Sequence, residues 1–274
     1  MLELEHRFRV VDVHARLNAD AGGVQTRGRA ISPDRLEREM HQAGVVRSVV
    51  FPGPREGGSY VSANNAVARR TVERPFLAFA RINGPRRPGE RPTSRLRNLA
   101  ASREDHHTAP EDVEQYAYDD RFHGFKLDPA TDGLPDEETL DQLDAVDLPV
   151  LVHAGEGFSP DAAADALLSR SFPVVLAHFG GHPLNRDLMA DAIDLLERYD
   201  ECYLDTSYVR YRDLLERAVM EHPDRVLFGS GAPSSHPNVA VMEILTLDVP
   251  EDAMHKVFDK NARRVLGDSL PGDF

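Results

Sequence analysis

Four short apolar runs punctuate the chain, and each ends where a catalytic barrel would present a side chain at its mouth. They read Arg9-Val-Val-Asp-Val-His14, Leu148-Pro-Val-Leu-Val-His153, Phe172-Pro-Val-Val-Leu-Ala-His178 and Arg225-Val-Leu-Phe-Gly-Ser-Gly231. A continuous apolar run of this length marks a strand buried on both faces, as parallel sheets require. In a closed barrel of such strands, polar residues at the C-terminal tips carry the chemistry. Three runs close on histidine and the fourth on glycine. The pattern points to a ring of site residues with one member changed.

Elsewhere, strand-like and helix-like segments alternate. Strands are expected at residues 8–14, 45–51, 76–82, 122–127, 149–153, 173–178, 201–206 and 225–230. A helix is expected at 32–44, where Ser32 caps, Pro33 opens and Gly44 closes the segment. Further helices are expected near 62–73, 136–145, 159 onward, 185–199, 210–221, 239–247, 251–258 and 261–266. This order predicts an α/β fold, a single (β/α)8 TIM barrel occupying residues 1–274. An open doubly wound sheet would carry a glycine-rich turn after the first strand, and His14-Ala-Arg-Leu-Asn is no such turn. The connection over 84–115 exceeds usual loop lengths. It reads as a surface insertion, with a third helix plus a lid as the other reading.

Charge narrows the function. The 274 residues hold 27 Asp and 19 Glu against 29 Arg and 3 Lys, for a net charge of −14. No basic patch dominates, so no nucleic-acid partner is expected and a TatD-like nuclease is disfavoured. The lysine-poor acidity is similar to that of proteins from extreme halophiles, whose self-repulsion is screened as the Debye length falls to about 3 Å near 1 M salt. There is no apolar run of about 18 residues and no secretory leader, so no membrane partner is expected. The single Cys202 fits a reducing cytoplasm and reads as a small core residue. The expected partner is a small-molecule substrate.

Side chains two apart on a strand share a face. Asp12 and His14 therefore share one, which Arg16 could continue, and Gly124 and Lys126 share another. The other inward tips are His153, His178, Asp205 and Gly231. One buried histidine is commonly a core residue; three at three strand ends form a set. His41, His106, His107, His182, His222 and His255 fall in helices or polar loops and read as solvent-facing.

These motifs together resemble the amidohydrolase superfamily, in particular the amidohydrolase-related group that includes aminocarboxymuconate-semialdehyde decarboxylase. Asp12-Val-His14-Ala-Arg16 is similar to the family's first-strand Asp-x-His-x-His, and Gly124-Phe-Lys126 to its Gly-x-Lys. His153, His178 and Asp205 stand at matching strand ends, Gly229-Ser-Gly231-Ala-Pro233 is similar to Gly-Ser-Asp-x-Pro, and Asn261-Ala-Arg-Arg-Val-Leu266 to the closing motif. Arg16 and Gly231 depart from the pattern, replacing a histidine and an aspartate.

The resemblance implies a barrel of the metal-dependent hydrolase type. One divalent ion, zinc by preference, would be held by His14, His153 and His178. His178, Asp205 and Lys126 would be catalytic, and Arg16 and Lys126 would bind an anionic substrate. Asp12 would orient His14 or pair with Arg16, and His236 would either fold back toward position 231 or decorate its loop. The implied activity is hydrolysis of an ester, lactone or amide. Alternatives are a C–C lyase (decarboxylase), a metal-free lactonase, and a non-catalytic barrel that lost its metal site. Relatives commonly form homodimers, so a homodimer is expected here.

Overall fold

The computed structural model describes residues 6–17, 32–54, 59–88, 98 and 101–267. Eight parallel strands form one sheet in chain order: β1 (Val10–Arg16), β2 (Val45–Phe51), β3 (Phe76–Ile82), β4 (Phe122–Leu127), β5 (Val150–Gly155), β6 (Val174–His182), β7 (Cys202–Asp205) and β8 (Val226–Leu227). Backbone bonds then carry β8 back to β1. Val13 N donates to Phe228 O at 2.9 Å, Arg16 N to Ala232 O at 2.8 Å and Gly231 N to His14 O at 3.0 Å. The sheet is thereby closed into the expected (β/α)8 barrel. The centre of the 84–115 connection, read above as an insertion or lid, lies outside the described residues.

Helices cover the strands: α1 (Pro33–Gln42), α2 (Val61–Thr71), α3 (Pro110–Tyr118), the single turn α4 (Pro129–Asp132), α5 (Glu137–Val146), α6 (Pro160–Ala166), α7 (Arg186–Leu195), α8 (Arg212–Glu221) and α9 (Pro237–Leu245). The chain then runs through α10 (Glu251–His255) and a π-turn at Lys256–Lys260 into α11 (Asn261–Leu266). Local chemistry sets the starts. The Ser32, Asp136, Ser159 and Asn185 side chains each accept a backbone N–H from the first helical turn, a cap worth about 1 kcal/mol. No helix among the described residues is long and apolar enough to cross a membrane.

The barrel interior is packed by Val11, Val13, Val49, Phe51, Leu77, Phe79, Leu151, Val175, Ala177, Tyr203 and Leu227. Ala262, Val265 and Leu266 of α11 join the same cluster and plug one end. Asn261 fastens that plug: its amide donates to Pro223 O and Val226 O, both at 2.8 Å. Cys202 is fully buried in the shell between strands and helices, and burial pushes its thiol up to about 12.

β5 and β6 run two and four residues past their expected ends, and β1 and β8 differ from the periodicity in ways that shape the site. β1 begins two residues later than expected and contains a bulge: Asp12 pairs with Ser48, but Ala15 pairs with Val50. The extra residue flips the alternation. Val11 and Val13 face the interior, His14 and Arg16 also reach it, and Asp12 turns outward. The expectation that Asp12 and His14 share a face therefore fails. β8 is short because later backbone donors leave the ladder: Gly229 N goes to Thr206 Oγ1 at 3.1 Å and Ser230 N to Asp12 Oδ1 at 2.8 Å.

Replacing Asn261 by Ala would leave a buried carbonyl at Val226 and a half-buried one at Pro223 without their donor. We expect urea unfolding to show a loss of about 1–3 kcal/mol; an unchanged midpoint would mean that α11 is held by its apolar contacts alone.

Candidate active site

The end of the barrel opposite α11 opens into a cavity of about 370 Å³. His14, Arg16, Lys126, His153, His178 and Gly231 all line it, joined by Phe51, Arg81, Asp128, Thr131, His182, Tyr208 and Ser234. The strand tips singled out by sequence thus converge, except Asp205, which lies fully buried outside the lining.

Asp205 organises the histidines. Its Oδ2 is 2.7 Å from His14 Nδ1. Its Oδ1 accepts the His178 backbone N–H at 3.0 Å, the Ser207 N–H at 2.9 Å and the Ser207 hydroxyl. Burial pushes this carboxyl up, but the imidazole and the Ser207 donors outweigh it and hold Asp205 below the usual carboxylate range. His178 and Phe179 take left-handed backbone conformations, φ +58° and +55°, so the strand must break pleat where it meets Asp205.

The imidazoles form a row. The His14 and His178 rings are 4.8 Å apart and the His178 and His153 rings 4.7 Å. His178 Nε2 is 3.1 Å from His153 Nδ1, and His178 Nδ1 is 2.9 Å from Ser207 Oγ. Burial keeps all three neutral; His153 is pushed down to about 3 by burial and then by Lys126. His182 extends the row, its ring 4.5 Å from that of His153. It was expected to face solvent and instead lines the cavity, half-buried. Of the other five histidines so read, His41 is exposed and the rest are half-buried. His236 is absent from the lining; its Nδ1 accepts from Asn238 N at 3.2 Å and caps α9.

Cations face this row. Lys126 Nζ donates to Leu127 O and Leu151 O at 3.2 and 3.3 Å, and lies 5.4 Å from the centre of the Phe51 ring. Burial lowers its amine to about 7. Arg16 bonds Ser234 Oγ at 2.9 Å and, among the described residues, has no carboxylate partner. Asp12 pairs with neither Arg16 nor the His14 ring. It accepts from His14 N at 3.0 Å and from Ser230 N and Oγ at 2.8 and 2.6 Å, stitching β1 to β8.

Arg81 and Asp128 escaped the sequence reading. Arg81 Nε donates to Asp132 at 2.8 Å and its guanidinium reaches Asp128 at 3.4 Å. A lone charge inside the apolar strand 76–82 was the available signal. Asp128, just past the tip of β4, had none beyond its place. Nothing in the sequence marked Tyr208.

His14, His178 and Asp205 each offer one ligand atom, all within 4.8 Å of one another. Neutral imidazoles and an ionised carboxylate are the donor forms a divalent ion takes. The residues present therefore fit one such ion. Asp205 joins His14 and His178 in this group, and His153 Nδ1 lies 3.1 Å from His178 Nε2 beside it.

The amidohydrolase family model matches residues 11–267. The chain belongs to the amidohydrolase family. No curated protein sequence matches it. Solved structures share its fold at low identity. A 2,6-dihydroxybenzoate decarboxylase from Rhizobium is 16% identical, with a TM-score of 0.64 over 95% of this chain and 99% of that one. A 5-carboxyvanillate decarboxylase from Novosphingobium aromaticivorans, with bound manganese and 3-methoxy-4-hydroxy-5-nitrobenzoic acid, is 14% identical, with a TM-score of 0.65 over 97% and 99%. A probable 2-pyrone-4,6-dicarboxylic acid hydrolase from Acinetobacter baumannii, with citric acid bound, is 14% identical, with a TM-score of 0.61 over 95% and 100%.

Two measurements test the site. Elemental analysis of protein purified without chelator should find about one divalent ion per chain, and His14→Ala should lose it; equal content in both would remove His14 from the site. Lys126 gives a second handle. Its folded value of about 7 lies below its ordinary 10.5. Between those limits the unfolded chain binds more protons, so stability rises with pH there, by up to about 1.4 kcal/mol per unit. Lys126→Met should flatten that rise when unfolding free energy is measured from pH 7 to 10.

Proposed function

We propose that this enzyme hydrolyses an ester, lactone or amide bond in a small molecule bearing a carboxylate. One observation carries the reading: Arg16 lines the cavity with a hydroxyl as its partner and, among the described residues, no carboxylate, and Lys126 lines the same cavity. Elsewhere in the cavity wall, Arg81 is paired with Asp128 and Asp132. Arg16 is thus the guanidinium available to an incoming carboxylate, which it can grip with two parallel hydrogen bonds.

The remaining residues supply the needs of hydrolysis. A bound divalent ion would act as a Lewis acid toward the scissile carbonyl. Asp205 holds His14 with its Nδ1 engaged, leaving Nε2 for the cavity. His153, neutral and with its Nδ1 3.1 Å from His178 Nε2, can accept a proton from water. Free imidazoles this depressed are weak bases; a carboxylate held beside them by Arg16 raises their basicity. Charged Lys126 places positive potential where negative charge develops on oxygen.

Decarboxylation is the second reading. Two of the structural relatives named above are decarboxylases of hydroxylated benzoates. It needs the same carboxylate grip and a proton donor, which Lys126 provides at neutral pH.

The test is a panel of carboxylated lactones, esters, amides and hydroxybenzoates, followed by proton release and by CO2 release. Turnover with proton release is expected, and CO2 release would move the assignment to the second reading. Arg16→Ala should raise KM about 10- to 100-fold, the loss of a charge-assisted pair. Equal turnover of neutral and carboxylated analogues, with an unchanged KM in Arg16→Ala, would overturn the carboxylate assignment.

A further inference from the structure

Position 231 is more than a vacancy. Gly231 adopts φ +69°, and a Cβ there would stand 2.8 Å from Cε2 of Tyr208. Tyr208 itself sits at φ +61°. A left-handed conformation is rare and strained for a bulky aromatic residue, and such strain persists where surroundings impose it. Two left-handed residues therefore face each other across the cavity wall, and the absence of a side chain on one makes room for the ring of the other.

One carbonyl gathers this corner. Gly231 O accepts the Tyr208 hydroxyl at 3.2 Å and the Ser234 backbone N–H at 3.2 Å. Ser234 Oγ in turn accepts from Arg16. The Arg16 backbone is bolted to the same loop through Ala232 O. The Tyr208 ring centre is 5.1 Å from that of His178. A phenol, a hydroxyl and a guanidinium thus meet on one wall, next to the imidazole row. The phenol's bond is long and goes to a backbone carbonyl, so an anion can displace it without leaving a buried charge unpaired.

We propose that Tyr208, Ser234 and Arg16 form the subsite that receives the substrate carboxylate, and that Gly231 is required because it admits the Tyr208 ring. This rests on the carboxylate reading above and names the wall where that group docks. It makes Tyr208 a specificity-determining residue: the phenol O–H and the guanidinium bond the carboxylate oxygens, and the ring covers the anion on the side of β8.

Isophthalate, a planar dicarboxylate with no hydrolysable bond, is a suitable probe by calorimetry. The wild type should bind it and Arg16→Ala should not. Tyr208→Phe removes one oxygen and should weaken binding on the order of 10- to 100-fold. Gly231→Ala should weaken it comparably while leaving Tyr208 in the chain. In turnover of a substrate found by the panel, Tyr208→Phe should raise KM more than it lowers kcat. Unchanged isophthalate affinity in Tyr208→Phe, with loss in Arg16→Ala, would overturn the subsite and leave the carboxylate reading standing. Equal affinity in the wild type and Arg16→Ala, or no binding by either, would overturn both. Circular dichroism and melting of each variant separate unfolding from loss of the subsite. Should Gly231→Ala unfold, Tyr208→Phe alone decides.

Discussion

The active end of this barrel depends on a single buried carboxylate. Asp205 is fully buried, yet it receives the His14 ring, the His178 backbone and both donors of Ser207. An isolated charge at such depth would cost many kcal/mol and would take up a proton instead. With these donors it stays ionised, and the charge then dictates geometry. The histidines from β1 and β6 must approach it, the first by its ring and the second by its main chain. The left-handed turn at His178 follows from that demand.

The rest of the site is a matter of charge arrangement around a neutral centre. The imidazoles are held neutral by burial. Arg81 is neutralised by Asp128 and Asp132. What remains is net positive character at Arg16 and Lys126. In a protein whose formal charge is −14, an anion approaches against the overall field and is attracted only inside the mouth. At high ionic strength the outer repulsion is screened, while the buried Lys126 and the largely buried Arg16 are screened much less. The carboxylate proposed as substrate would thus be drawn in by the mouth alone, despite the acidity of the chain.

Much of this was legible in sequence because barrel strands are short and buried on both faces. The runs ending on His14, His153 and His178, and the Gly-Phe-Lys126 tip, marked the fold and the residues that converge on its cavity. What escaped depends on distance through space. Alternation placed Asp12 beside His14, but a one-residue bulge turned it to Ser230, across a separation of 218 residues. His182 looked like loop decoration because the pairing of Gly155 with His182, after a register shift, extends β6 beyond its apolar run. Tyr208 could not be read at all: its place is set by a backbone conformation and by an absent side chain 23 residues away. The family's aspartate was visibly missing, yet only the structure shows what stands in its room.

The seam between β1 and β8 bears on how the chain reaches its native state. Most ladders join strands adjacent in sequence and can form as the chain emerges. The seam joins Asp12 to Ser230 at a separation of 218 residues, and His14 reaches past it to Asp205 of β7 at a separation of 191. Contacts this remote carry the full entropy of closing a long loop and form late. Until they do, Asp12 lacks both Ser230 donors and Asp205 lacks the His14 ring, and each keeps only its nearer donors. The side of the ring that holds His14 and Arg16 is therefore the one that needs both ends of the chain in place, while the row from Lys126 to His178 is joined by contacts 25 to 29 residues apart.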